Sequence, residues 1–268
     1  MKVINAHTHV YSDEESRKQD EQWARFGVAF YAGFTVSALL KDMEKCGIAT
    51  SCIFCVAEQP ETVREVNDFI IGAQDNKKLV GLGTIHPDYK DCKEEVKRLK
   101  ENGIRGVKFN PISQGNAYVD EDKMLRIYEV LGEDMVLYFH SGREAGSAQP
   151  HSTPERLARV LKTFPKHKIV AAHFGGLDML DEVKKHLLGK EIYIDTVWGK
   201  DFQSRDKTAI ARLIQDHGSH KVLFGTDYPA FATQERIDWT LQLPLSHADK
   251  ELVLHKNAER LFGMASSL

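Results

Sequence analysis

Eight short apolar runs, separated by stretches of helical periodicity, constrain this chain more than any other feature. The runs span residues 3–9, 51–56, 79–85, 106–111, 135–142, 168–175, 192–196 and 222–229. Most are rich in Val, Ile, Leu, Phe or Tyr, as buried strands are. Between them, apolar residues recur at helical spacing over 35–46, 62–76, 92–102, 122–131, 153–164, 177–188, 207–217, 235–243 and 248–262. The first of these places Val36, Leu39, Leu40 and Met43 on one face before Gly47 ends it. The stretch from 153 opens Thr-Pro-Glu, a cap followed by proline in the first turn. Eight strands, each followed by helix, predict a parallel sheet. The count of eight favours closure into an α/β fold of the (β/α)₈ TIM-barrel type. The 268 residues fit a single such domain spanning 1–268, and no linker or composition break divides them. A Rossmann-type sheet would carry G-x-G-x-x-G after its first strand; here that turn reads HTHVYS.

Charge excludes some partners. With 36 basic and 39 acidic residues, there is no electrostatic footprint for nucleic acid or an anionic membrane. No apolar run approaches the roughly 18–20 residues needed to span a bilayer. Four cysteines are too few for a disulfide scaffold. Cys52 and Cys55 form a C-x-x-C inside the apolar run SCIFCV, where strand alternation points them to opposite faces, so both read as buried thiols. The first residues, MKVINAHTHV, are too short an alternating run for a secretory signal, and the cytoplasm is the expected compartment.

Chemistry concentrates where the runs end. Those ends are His7-Thr8-His9 on the first, Phe139-His140-Ser141 on the fifth, Ala172-His173-Phe174 on the sixth and Gly225-Thr226-Asp227 on the eighth. Active sites of such barrels lie at the C-terminal ends of the strands. Alternation places His7 and His9 on one face, His140 opposite in sense to Leu137 and Phe139, His173 opposite to Val170 and Phe174, and Asp227 opposite to Val222 and Phe224. All five polar residues are thereby expected in the mouth of the barrel. Three imidazoles and a carboxylate converging there can bind Zn²⁺ or a similar divalent ion. Without a cation they would carry a large desolvation cost. His86, His167, His186, His217, His220, His247 and His255 are expected to be structural or at the surface. In Gly106-Val107-Lys108-Phe109-Asn110 the alternation turns Lys108 and Asn110 inward. There Lys108 could pair with Asp227, hold an anionic substrate, or react with CO₂ to give a carbamate that bridges two metals.

The strand-end histidines and aspartate, the stretches AAHFGG and FGTDYP, and the closing NAERLFG resemble the amidohydrolase superfamily. The resemblance covers essentially the whole chain. It is strongest to the amidohydrolase-related (amidohydrolase 2) branch, which includes aminocarboxymuconate-semialdehyde decarboxylase-like enzymes. The resemblance implies His7, His9, His140 and Asp227 as ligands of one divalent metal, usually zinc, or of the first of two if Lys108 is carboxylated. It implies His173 as the histidine that hydrogen-bonds the metal's water or the substrate.

Two reactions suit that constellation. Hydrolysis of a small amide, lactone or ester by a metal-activated water is the expected one, with Asp227 as base and then acid. The alternative is non-oxidative decarboxylation of an aromatic or enoic carboxylate. A metal-binding barrel without turnover is a further, non-enzymatic alternative. The connection 10–34, which carries Arg25, is expected as a long loop, either folded over the mouth as a lid or a solvated insertion. Arg143 is a candidate clamp for a substrate carboxylate, and Trp198 a candidate pocket wall. A small-molecule substrate and a homodimer complete the expectation.

Overall fold

Eight parallel strands line the centre of the molecule, in a computed structural model that describes residues 1–25, 29–143 and 149–264, the side chains of 22–25, 200 and 202 excepted. They are β1 (Ile4–His9), β2 (Thr50–Phe54), β3 (Leu79–Leu82), β4 (Gly106–Phe109), β5 (Val136–Phe139), β6 (Lys168–Ala171), β7 (Tyr193–Asp195) and β8 (Val222–Leu223). Ladders run β1-β2-β3 and β4-β5-β6-β7-β8. Two seams join them. Gly83 N donates to Gly106 O and Lys108 N to Gly83 O, both at 2.9 Å, linking β3 to β4. Ala6 N donates to Phe224 O and His9 N to Tyr228 O, both at 2.8 Å, linking β1 to the end of β8. The sheet is therefore a closed (β/α)₈ barrel, as the alternation of runs predicts.

Parity along each strand sorts the core into two shells. Val107, Phe109, Leu137, Phe139, Ile169 and Ala171 pack outward beneath the helices. Ile4, Ala6, Cys52, Phe54, Leu82, Val136, Tyr138, Val170, Ala172 and Leu223 fill the interior. Cys52 and Cys55 divide between the two shells, as their spacing requires. Burial raises both thiols far above their ordinary range.

The strands are shorter than the apolar runs, and the difference matters for His173. Its expected inward direction rested on Val170 facing the helices, but Val170 and Ala172 face inward. Strict alternation would send His173 outward. Instead the chain turns through left-handed backbone at His173 and Phe174, φ 58° and 52°, which non-glycine residues seldom adopt.

A second correction concerns β1. Its register against β2 slips between Asn5 and Thr8, a bulge that gives β1 one extra residue and changes its parity. Ile4 and Ala6 point inward below the slip, so His7 and His9 can share the interior above it.

The connection after β1 is not the expected loop. Asp13–Arg25 is an α-helix with Asp13, Glu14 and Glu15 in its first turn, where carboxylates favour the helix dipole. Its sequence lacks an apolar stripe but is dense in Glu, Lys, Gln and Arg, which are good helix formers. Elsewhere Thr153, with Pro154 in the first turn, accepts from Arg156 N, the cap that the sequence predicts, and Thr35 caps its helix in the same way by accepting from Ala38 N. Among the described residues no helix is long and apolar enough to cross a membrane.

His217, expected at the surface, is 1% exposed. The end of its helix docks under β7, where His217 Nε2 donates to Ile192 O at 2.8 Å and Nδ1 accepts from Gly189 N at 3.3 Å. Burial lowers its pKa from 6.5 to about 4. Above pH 6.5 neither folded nor unfolded chain is protonated there, and stability is full. Between 6.5 and 4 the unfolded chain takes a proton that the folded chain refuses, so stability is lost across that window. The expected loss at pH 5 is on the order of 1–2 kcal/mol from this residue. Thermal midpoints of metal-free protein should fall from pH 7 to pH 5, and less steeply in His217→Gln; equal slopes would refute the assignment.

Candidate active site

The residues that end β1, β5, β6 and β8 meet at one rim of the barrel. His7 Nε2 lies 3.1 Å and His9 Nε2 3.2 Å from the same oxygen, Asp227 Oδ1. Candidate ligand atoms of these three residues all fall within 4.8 Å of one another, the one such group among the described residues. The His7 ring stands 5.3 Å from those of both His9 and His173.

The local chain explains these positions. Asp227 N donates to His7 O at 3.0 Å, which ties the β8 end to β1, and Asp227 has left-handed backbone at φ 58°. Gly225 allows the two strands to approach, because a Cβ there would sit 2.9 Å from His7 Cβ. Asn5 braces the same seam, donating to Thr226 Oγ1 at 2.7 Å and accepting from Thr226 N at 3.1 Å.

His140 stands outside the group of three. Its Nδ1 is 3.0 Å from His173 Nε2, and its Nε2 is 3.2 Å from Arg143 O. The carbonyl can only accept, so His140 Nε2 carries the proton and His140 Nδ1 accepts from His173 Nε2. That leaves His173 Nδ1 as a bare nitrogen, and it is buried with no hydrogen-bond partner. Burial lowers His9 and His173 to about 4 and also holds His140 well below its ordinary value, with neighbouring charge from His173 and Lys108 adding to the effect at His140. All three rings are neutral at pH 7. Burial alone would raise the Asp227 carboxyl, but His7 and His9 outweigh it and hold Asp227 well below the ordinary carboxylate range.

Sequence reasoning missed Asp195 and Tyr138. Asp195 Oδ2 accepts from Tyr138 Oη at 2.6 Å and from His7 Nδ1 at 2.7 Å. Its Oδ1 accepts from His173 N at 2.7 Å and Val197 N at 3.1 Å. A carboxylate within the otherwise uncharged run Ile192-Tyr193-Ile194-Asp195-Thr196 was the available signal, since a buried charge demands partners.

The arrangement fits a divalent cation. His7 donates its Nδ1–H to Asp195, which leaves Nε2 as the nitrogen free to ligate, and that Nε2 is buried with no hydrogen-bond partner and faces Asp227 Oδ1. Neutral imidazole with carboxylate is a common donor set for Zn²⁺ and related ions.

Lys108 is 1% exposed, with Nζ 4.7 Å from the ring centroids of both Phe54 and Tyr138. Its head thus lies inside the barrel, close beneath the histidines. Arg143 and Trp198 line a cavity of about 420 Å³ together with Arg205 and Asp178. Trp198 packs on Phe174, ring centroids 4.8 Å apart, and the Arg205 guanidinium lies over the indole, its Cζ 4.6 Å from the ring centroid. The side chain of Arg25 lies outside the described residues.

Comparison with known proteins agrees with this architecture. The amidohydrolase family profile matches residues 4–264. No curated protein sequence matches the chain. Among solved structures, 5-carboxyvanillate decarboxylase LigW from Sphingomonas paucimobilis is similar at TM-score 0.75 and 17% identity, covering 98% of this chain and 99% of that one. Dihydroxybenzoic acid decarboxylase from Polaromonas sp. JS666, with bound manganese and the inhibitor 2-nitroresorcinol, gives TM-score 0.74 and 17% identity over 99% and 98% of the two chains. A probable 2-pyrone-4,6-dicarboxylic acid hydrolase from Acinetobacter baumannii gives a lower TM-score, 0.66, at 17% identity over 98% and 100%. The expectation of hydrolysis is corrected accordingly: the similar structures are mostly metal-dependent decarboxylases, which favours the alternative reaction. Over residues 4–264, nearly its whole length, the chain belongs to the amidohydrolase family.

Proposed function

We propose that this protein is a metal-dependent, non-oxidative decarboxylase of a small aromatic or enoic carboxylate. The observation that carries the reading is the convergence of His7, His9 and Asp227 on one point of the barrel's mouth, with His173 beside them. The proposed ion is divalent, zinc by the His-His-Asp donor set or manganese as in the similar decarboxylases. When bound, it would neutralise charge on substrate oxygens.

The chain's own residues supply the rest. Loss of CO₂ leaves an electron pair on carbon, and a proton must replace the departed group there. Asp227 and His173 are the groups at the mouth proposed to deliver it. His140 is proposed as a fourth ligand or as the partner that orients His173 through their 3.0 Å contact. Lys108 and Arg143 are the cations proposed to hold the substrate's anionic end, and Trp198 a wall against its ring. The proposed setting is the cytoplasm, as a homodimer.

The test is a panel of phenolic and enoic carboxylates read for CO₂ and for released acid. The reading predicts CO₂ in step with substrate loss, abolished by a chelator and restored by Mn²⁺ or Zn²⁺. Acid release without CO₂ would overturn it.

A further inference from the structure

We infer that Asp195 is a positioning residue that sets the tautomer of His7, and so decides whether the mouth of the barrel can accept a cation. The inference rests on the metal site proposed above. Four donors converge on this carboxylate: Tyr138 Oη and His7 Nδ1 on one oxygen, His173 N and Val197 N on the other. Asp195 is fully buried, and all four of its contacts are with N–H or O–H groups, the surroundings that an ionised carboxylate requires. An ionised carboxylate can only accept. His7 must therefore keep a proton on Nδ1, and Nε2 is the nitrogen that faces Asp227 and would ligate a cation. The same carboxylate fixes the left-handed turn at His173 through that residue's backbone N–H. One side chain on β7 thus orients a candidate ligand from β1 and the histidine after β6. Outer partners of this kind commonly fix ring orientation in metal sites.

Asp195→Asn separates this role from simple packing. The two backbone N–H groups can only donate, so the amide oxygen must stay with His173 N and Val197 N. The amide NH₂ then faces Tyr138 Oη and His7 Nδ1. Tyr138 can turn and accept, but His7 Nδ1 can accept only if its proton moves to Nε2. The proton then lies between His7 and Asp227 Oδ1, at the point a cation would occupy. No bond other than the imidazole N–H changes.

The experiment is ¹⁵N NMR of the imidazoles in metal-free protein, with His7 assigned by its loss in His7→Gln, alongside calorimetric titration with Zn²⁺. The wild type is expected to show His7 protonated on Nδ1. Asp195→Asn is expected to show it protonated on Nε2, with Zn²⁺ affinity about 10–100-fold weaker. Tyr138→Phe keeps the carboxylate and should keep both the tautomer and the affinity within a few-fold. A wild-type His7 protonated on Nε2 alone would overturn the inference, as would an Asp195→Asn protein with wild-type tautomer and affinity. If Asp195→Asn does not fold, the wild-type tautomer alone decides. If the wild type binds no Zn²⁺, the metal site fails while the tautomer measurement still judges Asp195.

Discussion

Asp227→Asn is expected to lower kcat/KM for decarboxylation by about 10²–10⁴-fold with the barrel intact. The substitution preserves size and shape, so the β8 end keeps its backbone tie to His7 O. What changes is charge and bonding capacity. Asp227 Oδ1 is the single atom that both His7 and His9 approach, at 3.1 and 3.2 Å. An amide there removes the one anionic member of the candidate ligand group and a candidate proton carrier together. Metal content and turnover should fall in parallel, while the circular dichroism spectrum and thermal midpoint of the metal-free protein stay near wild type. Undiminished turnover would reject the role given to Asp227.

Lys108→Met is expected to damage activity without a matching loss of stability. The ammonium is buried between the Phe54 and Tyr138 rings, and burying charge is expensive even where aromatic faces and neighbours offset part of it. Methionine has a similar length and fills the same interior space without charge. Exchanges of buried ions for hydrophobic groups are often neutral, or stabilising by about 1–4 kcal/mol. If Lys108 holds the substrate's carboxylate, losing that charged hydrogen bond should cost about 10–100-fold in kcat/KM. The expected pair of results is a thermal midpoint that holds or rises and a sharply reduced kcat/KM. A fall in midpoint with unchanged kinetics would make Lys108 a purely structural residue.

Sequence periodicity carried the barrel, because eight runs of similar length, each followed by an amphipathic stretch, leave few other closures. It also carried His7, His9, His140 and Asp227 to one rim. It brought His173 there for a faulty reason, since Val170 faces inward and only the left-handed turn at His173 recovers the direction. Backbone of that kind leaves little trace in residue type. The bulge in β1 was equally silent, because Ala6 and His7 are each compatible with either face until the register against β2 is known. The helix Asp13–Arg25 was hidden because its residues favour helix without presenting an apolar stripe. Asp195 was the larger omission: a lone carboxylate on β7 becomes meaningful only when Tyr138, His7 and His173, distant in sequence, are brought against it.

Anomalous scattering from crystals grown with Zn²⁺ or Mn²⁺ would locate the ion. A peak is expected in each chain bonded to His7, His9 and Asp227, and is expected to be lost in Asp227→Asn. An ion bound elsewhere, or none where the protein is saturated with metal, would contradict the proposed metal site.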